Sequence, residues 1–138
     1  MDASVAAKWA LPGEPYQKSA LKLKEDHILG LAELSAPSFI AQEVANALWR
    51  ALKLGRIVKG DAEEALRALG EMRIELHELS WDQVAEGLDI ASSLDLTIYD
   101  ASYLYLSNRL RAPLVTADGT LYERSRKLFR ITHVKDYS

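Results

Sequence analysis

Asp100 opens an apolar run, Thr97-Ile98-Tyr99-Asp100-Ala101-Ser102-Tyr103-Leu104, and Asp118 directly follows another, Pro113-Leu114-Val115-Thr116-Ala117. Both are acids where the pattern expects core. A carboxylate set against apolar surface loses hydration, so it must neutralise, gather hydrogen-bond donors or bind a cation. Asp2, just before the first helical run, and Glu43, on the flank of another, bring to four the acids available to converge. That set reads as a divalent-metal site. Cysteine is absent, and His27, His77 and His133 are too scattered for a zinc motif, so any metal here has oxygen ligands.

Each acid also has a plain structural role open to it. Asp100 can complete a capping box with Thr97, and Asp118 can be a simple N-cap ahead of Gly119. Thr116 places a hydroxyl two residues before Asp118, within reach of a carboxylate, a metal-bound water or a phosphate oxygen. On a helical wheel Ile40, Val44, Ala47, Leu48 and Ala51 form an apolar arc, with Glu43 at its edge, about 90° from the centre. Asn46 and Arg50 lie on the same side and could hold Glu43 by hydrogen bond or ion pair.

The elements that must position these residues alternate between helical periodicity and short apolar runs, as expected of an α/β domain with a parallel sheet. Helices are expected over Ser4–Leu11, Tyr16–Leu31, Phe39–Leu54, a stretch N-capped by Asp61 and ending near Met72, a stretch opened by the Ser80-Trp81-Asp82-Gln83 capping box and ending near Leu94, Ile98–Leu110 and Thr120–Lys127. Strands are expected at Ser35–Ser38, Arg73–Leu79, Leu114–Thr116 and Ile131–Val134. In such sheets ligands sit beyond the carboxyl ends of the strands, where Asp118 falls.

With 138 residues, 49% of them apolar, the chain fits a single domain over 1–138 with a real core. It holds no apolar stretch of the roughly 20 residues needed to span a bilayer and no signal-like start, so a cytoplasmic protein without membrane attachment is expected. The net charge is −3, yet its distribution is uneven. Arg109, Arg111, Arg124, Arg126, Lys127 and Arg130 form one basic group, and Arg50, Lys53, Arg56 and Lys59 another; both suit a phosphodiester held near metal ions, and both equally suit helix C-termini and solvated faces. Trp49 falls nearly opposite the apolar arc and is a candidate partner contact, with packing by the next helix as the alternative. Trp9, Trp81, Tyr99, Tyr103 and Tyr105 read as core.

Asp2-Ala3-Ser4-Val5-Ala6-Ala7-Lys8-Trp9, Glu43-Val44-Ala45-Asn46-Ala47-Leu48, Leu96 to Tyr103 and Pro113 to Asp118, in that order, resemble the PIN-domain family, and within it the VapC toxins of type II toxin–antitoxin pairs. The resemblance covers nearly the whole chain. It implies a three-layer fold with a central parallel sheet of four to five short strands flanked by helices, and cleavage of RNA with Mg²⁺ or Mn²⁺. Carried over, the acidic quartet falls on Asp2, Glu43, Asp100 and Asp118, with Ser4 and Thr116 as supporting hydroxyls. Asp2, Asp100 and Asp118 are the expected ligands, and Glu43 a ligand or a base that orients water. A VapB-like antitoxin and a homodimer are the implied partners. One departure stands out: the family places a full apolar strand before its first aspartate, whereas only Met1 precedes Asp2, so the expectation is that the stated start lies downstream of the true one.

Three other readings compete. A housekeeping RNA-processing nuclease of the same family shares the site. A catalytically silent interaction module would keep the fold without needing the acids, and all four are present. A phospho-acceptor receiver domain needs a lysine after a late strand, an arrangement this chain lacks.

Overall fold

The computed structural model describes residues 1–138. Seven helices and four strands follow one another as α1 (Ala3–Ala10), α2 (Gln17–Ile28), β1 (Ser35–Pro37), α3 (Ile40–Lys53), α4 (Lys59–Glu71), β2 (Glu75–His77), α5 (Trp81–Leu94), α6 (Ile98–Leu110), β3 (Leu114–Thr116), α7 (Gly119–Ser125) and β4 (Ile131–His133). All four expected strands form, each three residues long, and all pairing is parallel. Ala36 stands opposite Leu76 in one pair, and Val115 opposite Thr132 in the other.

The expected single sheet is divided into two pairs, β1–β2 and β3–β4. Met1 and Asp2 lie between them: the Met1 ammonium donates to the Ser35 carbonyl at 3.1 Å, and the Asp2 N–H to the Val115 carbonyl at 3.1 Å. Two residues thus do the work of a central strand at one point only. Beyond them, between the edges of β1 and β3, opens a cavity of about 470 Å³ walled by Leu34, Ser35, Leu106, Leu110, Leu114 and Val115.

Helix α6 spans this gap, packing on both β1 and β3. That is why it is buried around much of its circumference, with Ala101, Tyr103, Leu104 and Leu106 all in the interior. Helix α1 packs on α2, α3 and β3, and its Val5 and Ala6 are sealed in the core with Val44 and Leu48 of α3. Gly55, at φ 71°, turns the chain out of α3, and the Arg56 N–H closes the end onto the Ala51 carbonyl at 2.9 Å.

Two expectations need correction. Asp61 is not an N-cap, because α4 begins two residues earlier with Val58 at the cap, and Asp61 falls within the first turn. Trp81 is not core but 92% exposed. Helix α5 buries its small residues, Gly87 and Ala91, and a Cβ on Gly87 would already touch Ile98 Cδ1 at 3.6 Å, so this close approach to α6 leaves the large side chains outside. The Ser80–Gln83 capping box forms as expected.

Burying the terminal ammonium is costly, and burial lowers its pKa against the attraction of Asp2.

Candidate functional site

Asp2 is 4% exposed and caps α1. Its Oδ1 accepts from the Ser4 N–H at 3.1 Å and the Ser4 hydroxyl at 2.5 Å, and its Oδ2 accepts from the Thr116 hydroxyl. The same two hydroxyls hold the far side of the junction, since Ser4 Oγ accepts from the Ala117 N–H at 2.8 Å and Thr116 Oγ1 from the Asp118 N–H at 3.0 Å. The start of α1 and the end of β3 are thereby tied into one polar knot.

Asp118 caps α7 through Oδ1, which accepts from the Thr120 and Leu121 N–H groups at 2.9 and 3.1 Å. Its capping role is real, and its carboxylate also lines a cleft of about 500 Å³ shared with Asp2, Ser4, Glu43 and Asp100. Asp100 sits in the first turn of α6, where the Thr97 hydroxyl accepts its N–H at 3.1 Å. The carboxylate does not return the bond, so the capping box open to it in sequence is only half made. Glu43 occupies the first turn of α3, and its Oε1 is buried without a hydrogen-bond partner. Asn46 and Arg50 line the same cleft but do not hold it.

The electrostatics register the convergence. Asp100 is pushed up to about 6, first by burial and then by the carboxylates of Asp118, Asp2 and Glu43, with Thr97 opposing. Glu43 is raised by burial and by Asp2, the Tyr103 hydroxyl working the other way. Asp2 is raised by burial against the hydroxyls of Ser4 and Thr116, the ammonium of Met1 and the Val5 N–H. Tyr103 is raised by burial and by Glu43 beside it.

No three of the carboxylates stand together at metal-ligand spacing; they ring the cleft. The donor set nonetheless fits a small hard dication that keeps several waters, since every donor is a carboxylate oxygen, and neither Glu43 Oε1 nor the buried Tyr103 hydroxyl beside it makes a hydrogen bond of good geometry. The side chains missed in sequence are Tyr99 and Tyr103, both lining the cleft. Tyr103 is core as expected, but its position one helical turn after Asp100 was the available signal that it also faces the acids. Tyr99 is 52% exposed rather than core.

Across residues 1–127 the sequence matches the family profile described as PIN domain. Ribonuclease VapC3 of Pyrobaculum aerophilum is 30% identical over 128 residues, 90% of this chain and 92% of the relative. Exonuclease VapC9 of the same organism is 34% identical over 84 residues, 61% of each chain. Among solved structures, the crystal structure of PAE2754 from Pyrobaculum aerophilum aligns with a TM-score of 0.64 at 27% identity, covering 91% of this chain and 84% of that one.

Two outcomes follow from the geometry. A carboxyl whose folded pKa lies above its unfolded value favours folding while protonated, and that contribution is lost as pH rises through the folded value. Without added metal, Asp100→Asn should therefore be more stable than the parent at neutral pH, by about 1–2 kcal/mol once solvent screening at this partly open site is allowed for, and the difference should vanish toward pH ~4, as paired denaturant titrations would read. Thr116→Val keeps the shape of a fully buried residue but strips a donor from Asp2 and an acceptor from the Asp118 N–H. It should cost about 1–3 kcal/mol in the same assay.

Proposed function

The chain belongs to the PIN-domain family, and from that premise we propose that it is a divalent-metal-dependent endoribonuclease, the toxin of a VapBC-type toxin–antitoxin pair. The observation that carries the reading is the cleft that all four acids line, where Asp100 is raised first by burial and then by repulsion from the other three. Such repulsion disfavours the empty, fully ionised site and favours one that takes up positive charge.

Asp2, Asp100 and Asp118 would hold Mg²⁺ or Mn²⁺, with Glu43 as a further ligand or as base. When bound, the metal supplies neutralising charge for the phosphodiester and acidifies a water. The chain's own residues do the rest. Asp2 cannot swing, because Ser4 and Thr116 fix both its oxygens. Asp118 is held through one oxygen by the α7 amides. Glu43, raised by burial, would serve as a further ligand or orient the attacking water and take its proton.

The name VapC3, attached to the relative matched over most of both chains, supports RNA as substrate and a VapB-like antitoxin as partner. Trp49, outward as the wheel indicates and 53% exposed, together with Leu54 and Val58, supplies apolar surface for a homodimer or antitoxin contact. No helix is long and apolar enough to cross a membrane, and a cytoplasmic site of action, with its RNA, completes the reading.

The test is cleavage of labelled linear and circular RNAs with Mg²⁺, with Mn²⁺ and with EDTA, beside Asp100→Asn. Metal-dependent cutting of both RNA forms, reduced on the order of a hundredfold or more in the variant, is expected. Cutting of linear RNA alone would favour an exonuclease, the activity named for the VapC9 relative. Failure to cut any RNA, with no metal uptake by calorimetry, would overturn the nuclease reading.

A further inference from the structure

The cleft carries two side chains that its acids do not use. One is Tyr99, adjacent to Asp100 on α6. Its ring packs edge-on against Phe39, with centroids 5.3 Å apart at 75°, and Phe39 is braced in turn by Tyr103 at 5.4 Å and 79°. Tyr103 is 2% exposed, so the ring of Tyr99 is anchored at second hand in the core, while Tyr99 itself lines the cleft and keeps about half its surface exposed. An aromatic ring that is both open to solvent and held rigid loses little conformational entropy when a planar ligand stacks on it.

The other is Arg50, the one basic side chain lining this cleft. Its neighbours in sequence are engaged: Lys53 lies over the Trp49 ring, Arg56 pairs with Glu14 at 2.8 Å and Lys59 with Glu63 at 3.6 Å. Arg50 is exposed and makes no salt bridge. It stands seven residues beyond Glu43 on α3, about 10 Å along the helix axis. A phosphodiester chain entering a cavity of carboxylates is repelled, and a guanidinium in the wall offsets that repulsion for the phosphate next along the strand.

We propose that Tyr99 and Arg50 are the nucleotide-positioning residues of this cleft, Tyr99 stacking on one unpaired base and Arg50 holding a neighbouring phosphate. The inference rests on the nuclease reading for the identity of its ligand as RNA. Its consequence is a preference for single strands, because a base paired inside a duplex offers no free face to Tyr99.

The test separates binding from cutting. Fluorescence anisotropy with a labelled single-stranded RNA is measured in the Asp100→Asn background, with Mg²⁺ and with EDTA, for Tyr99→Leu, Tyr99→Trp, Arg50→Ala and Arg50→Lys. Tyr99→Leu keeps an apolar side chain against Phe39 but removes the stacking face, and should weaken binding about tenfold, with Tyr99→Trp restoring it. Arg50→Ala should lower the slope of log affinity against log salt by about 0.7, with Arg50→Lys restoring it. In the active protein, Tyr99→Leu should raise KM with little change in kcat. Single-strand affinity within about twofold of the parent for both Tyr99→Leu and Arg50→Ala, with melting temperatures unchanged, overturns the proposal, as does a parent that binds no single-stranded RNA. Binding that responds to both variants in a protein that never cuts would overturn the nuclease reading alone.

Discussion

The buried carboxylate of Asp2 is the constraint on which the rest of the site depends. It is enclosed where Met1 and Asp2 bridge the two halves of the sheet. Such a group persists only if its lone pairs are satisfied, and Ser4, Val5 and Thr116 satisfy them. These partners come from the first turn of α1 and the last residue of β3, so meeting the needs of one side chain fixes two distant segments against each other. Thr116 then passes the constraint on to Asp118, whose N–H it accepts. The knot that keeps Asp2 tolerable is also what aims Asp118.

Much of this was legible in the sequence because it is written in local signals. The strands fall in short apolar runs, such as Leu114–Thr116, or in an alternating one, Arg73–Leu79, and each helix announces itself by period, by a cap such as Ser80 or Thr97, or by a stop such as Gly55. The exposure of Trp81 was not legible. Helix faces chosen by small residues are hard to read, because hydrophobicity scales reward size, whereas α5 docks through Gly87 and Ala91 and so leaves Trp81 in solvent. The division of the sheet is likewise a tertiary fact, since nothing in the local pattern of β1 or β3 records how few residues would lie between them.

For the site, the acids were legible as polar residues breaking apolar patterns, and the structure brings all four to one cleft. What the sequence left open was which of their two roles each would take. The structure separates these by hydrogen bonding. Asp118 is both cap and cleft residue, Asp100 leaves the reciprocal half of its capping box unmade, and Glu43 has no bond from either Asn46 or Arg50. Tyr99 escaped because its exposure depends on Phe39 filling the space behind it, a contact between residues sixty positions apart.

The placement of the quartet also explains how a fold can afford so much like charge. Asp2 and Asp118 are N-caps, and Glu43 and Asp100 lie in first turns, so each carboxylate sits at the positive end of its own helix. In a parallel sheet the helix that follows a strand begins where that strand ends, and so β3 delivers α7, and β1 delivers α3, to the same rim. Four helix N-termini arranged around one cleft supply partial positive charge, and those of α1 and α7 also donate their first amides to Asp2 and Asp118. They do not remove the cost altogether: Asp100 and Glu43 are still raised, first by burial and then by the neighbouring carboxylates. What repulsion remains between the carboxylates would be relieved by any positive charge entering the cleft, which is the energetic condition that the proposed function asks of it.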